Sequence, residues 1–140
     1  MKVTGFDHIS IGVRNLNQAI DTFSRLLKLE VKDRRKVRHI GMENAFIPLE
    51  NGAIELIQPL DDTDSQDDVK RTLDKKGEGM MNLCLRVEGL EEMVEHIRSQ
   101  GVKVIEGTDA DGDKIAYIHP KFVHGVLIEL RTGERKIREN

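Results

Sequence analysis

Four polar residues stand at matching places in this 140-residue chain: His8 and Glu55, then Asn82 and Glu129. The segment His8-Ile9-Ser10-Ile11-Gly12-Val13-Arg14-Asn15-Leu16 lies 74 residues ahead of Asn82-Leu83-Cys84-Leu85-Arg86-Val87-Glu88-Gly89-Leu90. Ala53-Ile54-Glu55-Leu56 lies the same 74 residues ahead of Leu127-Ile128-Glu129-Leu130. Ala45-Phe46-Ile47 returns as Ala116-Tyr117-Ile118 at an offset of 71. Agreement at both ends of a module reads as an internal duplication. In each copy the last strand carries a glutamate between two aliphatic residues, which is costly unless the carboxylate is paired or bound. Taken singly, each glutamate reads as a solvent-facing strand residue and His8 as a satisfied strand histidine. The symmetric set favours another use: one imidazole and two carboxylates brought together make a metal-ligand or acid–base set.

The elements that would position them follow from periodicity. Residues 5–13 alternate and form a half-buried strand, with Phe6, Ile9, Ile11 and Val13 apolar and His8, Ser10 and Gly12 on the polar side. Asn15 with Gln18 three residues on signals a helix start, and apolar spacing predicts a helix over 16–28. Residues 29–38 and 41–49 suggest a hairpin, and Asn51-Gly52 a tight turn into a strand at 53–57. Residues 59–77 are acidic, lack apolar periodicity and read as a linker with a short helix near 65–75. The pattern then returns: a strand at 81–87, a helix ending near Gly101, and strands at 102–106, 114–118 and 126–131. The order is βαβββ twice, in modules at about 5–58 and 78–131, followed by a charged tail at 132–140 that is expected to fray from Glu134 onward. The expected class is α+β, with two βαβββ modules forming a curled mixed sheet around a shared cavity.

Composition narrows the function classes. Twenty-two basic and 25 acidic residues leave a net charge of -3, which argues against a nucleic-acid partner. The basic run Lys32, Arg34, Arg35, Lys36 and Arg38 reads as a solvated strand before an anion site. Cys84 is alone, so the chain needs no oxidising compartment, and no apolar run suits a signal peptide or a membrane span. The cytoplasm is the expected location.

FDHISIGVRNL, AIELIQPL, the GEG around Glu78 and HPKFVHGVLIEL at 119–130 resemble the vicinal oxygen chelate superfamily. Within it the methylmalonyl-CoA epimerase group is the nearest pattern and glyoxalase I a more distant one. The resemblance spans about residues 5–131. It implies a homodimer, a small-molecule substrate of the acyl-CoA type, and a divalent metal (Co, Mn, Mg, Ni or Zn). The metal would be held by His8, Glu55, residue 82 and Glu129. The implied reaction is epimerisation of a 2-substituted malonyl-type thioester through a metal-stabilised enolate. A glyoxalase-like lyase and a metal-free small-molecule binder are the alternatives.

Two positions depart from that pattern. Relatives read GEG-x-His-His, whereas this chain reads Gly77-Glu78-Gly79-Met80-Met81-Asn82. An amide oxygen suits a hard cation and is a poor zinc ligand, so a harder metal, a weaker site or no metal follows. The glutamate that some epimerases place three residues after the hairpin glycine is Asn44 here, with Glu43 beside it on the opposite strand face. Glu129 is therefore the first catalytic candidate and Glu43 the second. Cys84 reads as a buried inert thiol, and His119 and His124 as loop residues.

Overall fold

A computed structural model describes residues 1–60 and 68–139. It divides into two compact units, Met1–His8 with Asn82–Arg135, and Ile9–Met81 with Lys136–Asn140. Strand β1 (Lys2–Gly12) contributes to both, because the division falls between His8 and Ile9.

The second unit holds α1 (Leu16–Leu27), β2 (Lys32–Val37), β3 (Met42–Leu49), β4 (Gly52–Pro59) and α2 (Asp68–Lys76). Its strands run in the order β2-β3-β4-β1. Asn15 caps α1 as expected, its side chain accepting from Gln18 N at 3.0 Å. Leu16 and Ala19 bury against Val13, Ala45, Ile47 and Leu56. The antiparallel register Asn44↔Ile57 and Phe46↔Glu55 puts these four side chains on the other face.

On that face lies the short helix expected within 59–77, seen here as α2. Val69 and Leu73, four residues apart on α2, pack with Ile57, Met42 and Met81. The acidic residues 61–67, including the expected helix start, lie outside the described residues.

The first unit holds β5 (Gly79–Glu88), α3 (Leu90–Ser99), β6 (Val104–Thr108), β7 (Lys114–Ile118) and β8 (Leu127–Arg131), in the order β1-β5-β8-β7-β6. Strand β5 is assigned here by its residues from Asn82 onward. β5 and β8 are parallel, and the β7 pairings are antiparallel. Val94 of α3 packs on Val87, Val104, Ala116, Ile118 and Leu130. The α+β class and both amphipathic helices therefore match expectation.

Two expectations need correction. Phe6 is 36% exposed, and the polar side of β1 is the more deeply buried one: His8, Ser10 and Gly12 are buried, as is Asp7, while Ile9 and Ile11 are partly exposed. A Cβ at Gly12 would collide with Met81 Sδ, which explains the missing side chain there. The tail is not frayed: Arg135 N donates to Asp7, Arg138 N donates to buried Asp33 at 2.9 Å, and Lys32 pairs with Glu139. The basic run is largely solvent-facing, as expected, with Arg34, Lys36 and Arg38 exposed, Arg34 paired with Glu43 and Arg35 with Asp33.

Candidate active site

In the first unit the parallel register sets Cys84 beside Glu129 and Arg86 beside Arg131. Alternation then aims Asn82, Cys84 and Arg86 to one side, together with Glu129. The Glu129 carboxylate is buried and met on both oxygens. Asn82 Nδ2 donates to Oε1 at 3.0 Å, and Cys84 Sγ donates to Oε2 at 3.4 Å. The aliphatic neighbours Ile128 and Leu130 face the α3 core, so the strand leaves this carboxylate on the opposite side.

His8 and Asp7 are both buried, with His8 Nδ1 2.6 Å from Asp7 Oδ2. Burial raises the Asp7 carboxyl, but hydrogen bonds from His8 and Arg86, the His8 charge and the Arg135 backbone outweigh it. They bring the group from 3.8 down to about 2. Cys84 moves the other way. Burial pushes the thiol from 9.0 up to about 12; its hydrogen bond with His8 opposes this, and the Glu129 and Asp7 charges add to the rise. The thiol is thus protonated at neutral pH and inert, as expected.

One ligand atom from each of Asp7, His8 and Cys84 lies within 4.8 Å of the others, an arrangement able to hold a metal ion. Asn82 supplies a test of fit. Its Oδ1 is buried with no hydrogen-bond partner among the described residues, because Glu129 takes the amide's nitrogen side. Flipping the amide would set two acceptors against each other. A buried orphan acceptor costs about 1–3 kcal/mol, and a cation would satisfy it. Imidazole, carboxylate and amide oxygen together fit a divalent ion.

The structure therefore links His8, Asn82 and Glu129 through Cys84. Glu55 lies in the second unit, where Ser10 Oγ donates to its Oε1 at 2.5 Å and Asn44 Nδ2 to its Oε2 at 2.8 Å. Glu43 sits on the α1 side of β3, not the Glu55 side. Arg34 holds it at 2.8 Å and Gln58 Nε2 at 3.2 Å. His119 accepts from Lys121 N as a loop residue should.

Sequence reasoning passed over Asp7 as a site residue and treated Cys84 as filler. A signal existed for Cys84. Ser10 and Cys84 are 74 residues apart, the offset of the duplication, and each donates to the glutamate of its own copy. For Asp7 the sequence offered only its place beside His8.

A model of the Glyoxalase/Bleomycin resistance protein/Dioxygenase superfamily matches residues 7–117. The mitochondrial methylmalonyl-CoA epimerase of Dictyostelium discoideum is 30% identical over 129 residues, covering 89% of this chain and 75% of that protein. The crystal structure of methylmalonyl-CoA epimerase from Mycobacterium tuberculosis superposes with a TM-score of 0.83 at 32% identity, covering 96% of this chain and 89% of that one. A variant of the Streptomyces coelicolor methylmalonyl-CoA epimerase in complex with 2-nitronate-propionyl-CoA gives 0.85 at 26% identity, covering 94% and 96%.

Proposed function

The chain belongs to the glyoxalase/bleomycin resistance protein/dioxygenase superfamily, and from that premise we propose that it is an isomerase of the methylmalonyl-CoA epimerase type. Its substrate is a 2-substituted malonyl thioester of coenzyme A. Similarity to epimerases in sequence and in fold supports this, including one relative bound to a propionyl-CoA analogue. The observation that carries the chemistry is the buried Glu129 carboxylate, held by Asn82 and Cys84.

Epimerisation removes the proton α to the thioester carbonyl and returns one on the opposite face. Glu129 is the group we assign to accept that proton. Its Oε1 accepts from the amide of Asn82 at 3.0 Å and its Oε2 from the Cys84 thiol at 3.4 Å, so the carboxylate is held in one orientation on the strand. Cys84 stays protonated and keeps this carboxylate oriented without competing as a base. His8, Asn82 and Glu129 are the residues that would hold a divalent cation. When bound, such a cation would supply positive charge that stabilises the negative charge left as the α-proton departs. Glu43 enters as a weaker second candidate, since Arg34 engages its carboxylate. A homodimer completes the reading by family resemblance, and the cytoplasm is kept as the location expected from the sequence; no helix among the described residues is long and apolar enough to cross a membrane.

One observation favours a second reading. Asn82 in place of a histidine suits a metal-free member that binds an acyl thioester without turning it over. Exchange of the α-proton of methylmalonyl-CoA in D₂O separates the two. Exchange that requires Glu129 supports the epimerase. Tight binding of methylmalonyl-CoA with no exchange, in protein supplied with Co²⁺ or Mn²⁺, supports the binder.

A further inference from the structure

Neighbouring residues on a strand point to opposite faces, so a side-chain bond between Asp7 and His8 is not something β1 supplies by alternation. Yet both are buried and 2.6 Å apart. We propose that Asp7 is a positioning residue that keeps the His8 ring proton on Nδ1, and that Arg86 with the segment Glu134–Arg135 holds Asp7 in place to do so.

A carboxylate only accepts hydrogen bonds, so the contact with Asp7 Oδ2 places a ring proton on Nδ1 and turns Nε2 away from Asp7. That is the nitrogen a ligand or base must present. The rotamer of Asp7 is set from its other oxygen, which accepts from Arg86 Nε at 2.9 Å and Arg135 N at 3.2 Å. Each donor is itself tied down. Arg86 Nη1 reaches Glu134 at 3.1 Å. Arg135 Nη1 reaches Asp109 Oδ2 at 3.4 Å, and the same oxygen takes Arg131 Nη2 at 3.0 Å. The chain just past β8 therefore folds back as a clamp on the first strand of its own unit.

The duplication bears on this independently. The position matching Asp7 is Met81, and the position matching His8 is Asn82. The copy without an imidazole also lacks the carboxylate. Where the ring is present its orienting partner is present; where it is absent, a methionine packs instead with Ile57, Val69 and Leu73.

The tautomer part of this inference stands by itself, whereas its consequence for metal affinity rests on the epimerase reading above. Long-range ¹H–¹⁵N NMR of the His8 ring in metal-free protein tests the first, and titration with Co²⁺ the second. In the unaltered chain the proton is expected on Nδ1. In Asp7→Asn the amide can donate to Nδ1, so the proton moves to Nε2, and Co²⁺ binding weakens 10- to 100-fold. Asp7→Glu is expected to restore part of both signals, and Arg86→Met to give a mixture of tautomers with intermediate affinity. An unchanged Nδ1–H signal in folded Asp7→Asn overturns the proposal. If that variant does not fold, an unchanged signal in Arg86→Met overturns the clamp. A tautomer change in a protein that never binds Co²⁺ leaves Asp7 as a positioning residue and removes the metal from the functional reading instead.

Discussion

Asn82 Nδ2 donates to Glu129 Oε1 at 3.0 Å, which turns the amide oxygen of Asn82 away and leaves it buried with no hydrogen-bond partner among the described residues. One contact thus fixes the acidic group and sets the direction of the amide oxygen. Asn82→His would place an imidazole where the amide stands. Zn²⁺ affinity measured by calorimetry at pH 7 is expected to rise at least tenfold, equivalent to about 1.4 kcal/mol. Unchanged affinity would mean that position 82 does not face a metal.

Glu129→Gln keeps an oxygen for Asn82 but removes the base. Loss of a positioned general base lowers the rate by about 10²–10⁴, read as α-proton exchange of methylmalonyl-CoA in D₂O. Thermal unfolding should move little, because the hydrogen bond from Asn82 can be retained. An exchange rate close to that of the unaltered protein sinks Glu129 as the proton acceptor.

Cys84, fully buried with its thiol raised to about 12, is expected to resist iodoacetamide at pH 8 in the native protein and to react at once when the chain is unfolded. Cys84→Ser copies the Ser10–Glu55 pair of the other repeat and should fold normally. Rapid alkylation of the native protein, counted by mass spectrometry, would contradict the burial.

Asp7 links stability to pH. Its folded pKa lies below the unfolded value, 3.8 against about 2. Its contribution is therefore present above pH 4 and is lost as pH falls towards 2. A shift of this size corresponds to about 2 kcal/mol. Urea unfolding at pH 4.5 and pH 2 should show a smaller loss for Asp7→Asn than for the unaltered chain. Equal losses would assign the acid sensitivity to other carboxylates.

Leu73 is 1% exposed, and α2 packs on Ile57 through Val69 and Leu73. Leu73→Ala should cost about 2–5 kcal/mol, seen as a lower midpoint in chemical denaturation. A change within experimental scatter would return this segment to the status of a linker.

Much of this protein is legible in one dimension. The 74-residue offset pairs Glu55 with Glu129 and His8 with Asn82, and apolar spacing marks α1 with its Asn15 cap and the strand at Lys114–Ile118. These features are local, or repeat a local pattern, so backbone period and capping chemistry decide them. Tertiary structure alone decided which partners the polar groups take. Glu129 meets donors 45 and 47 residues away, and Asp7 meets Arg86 and Arg135 at separations of 79 and 128. The packing of α2 and the tie between Arg138 and Asp33 were hidden for the same reason. A side chain's residue type states what it can bond, but burial and register choose the partner, and both exist only once distant strands have paired.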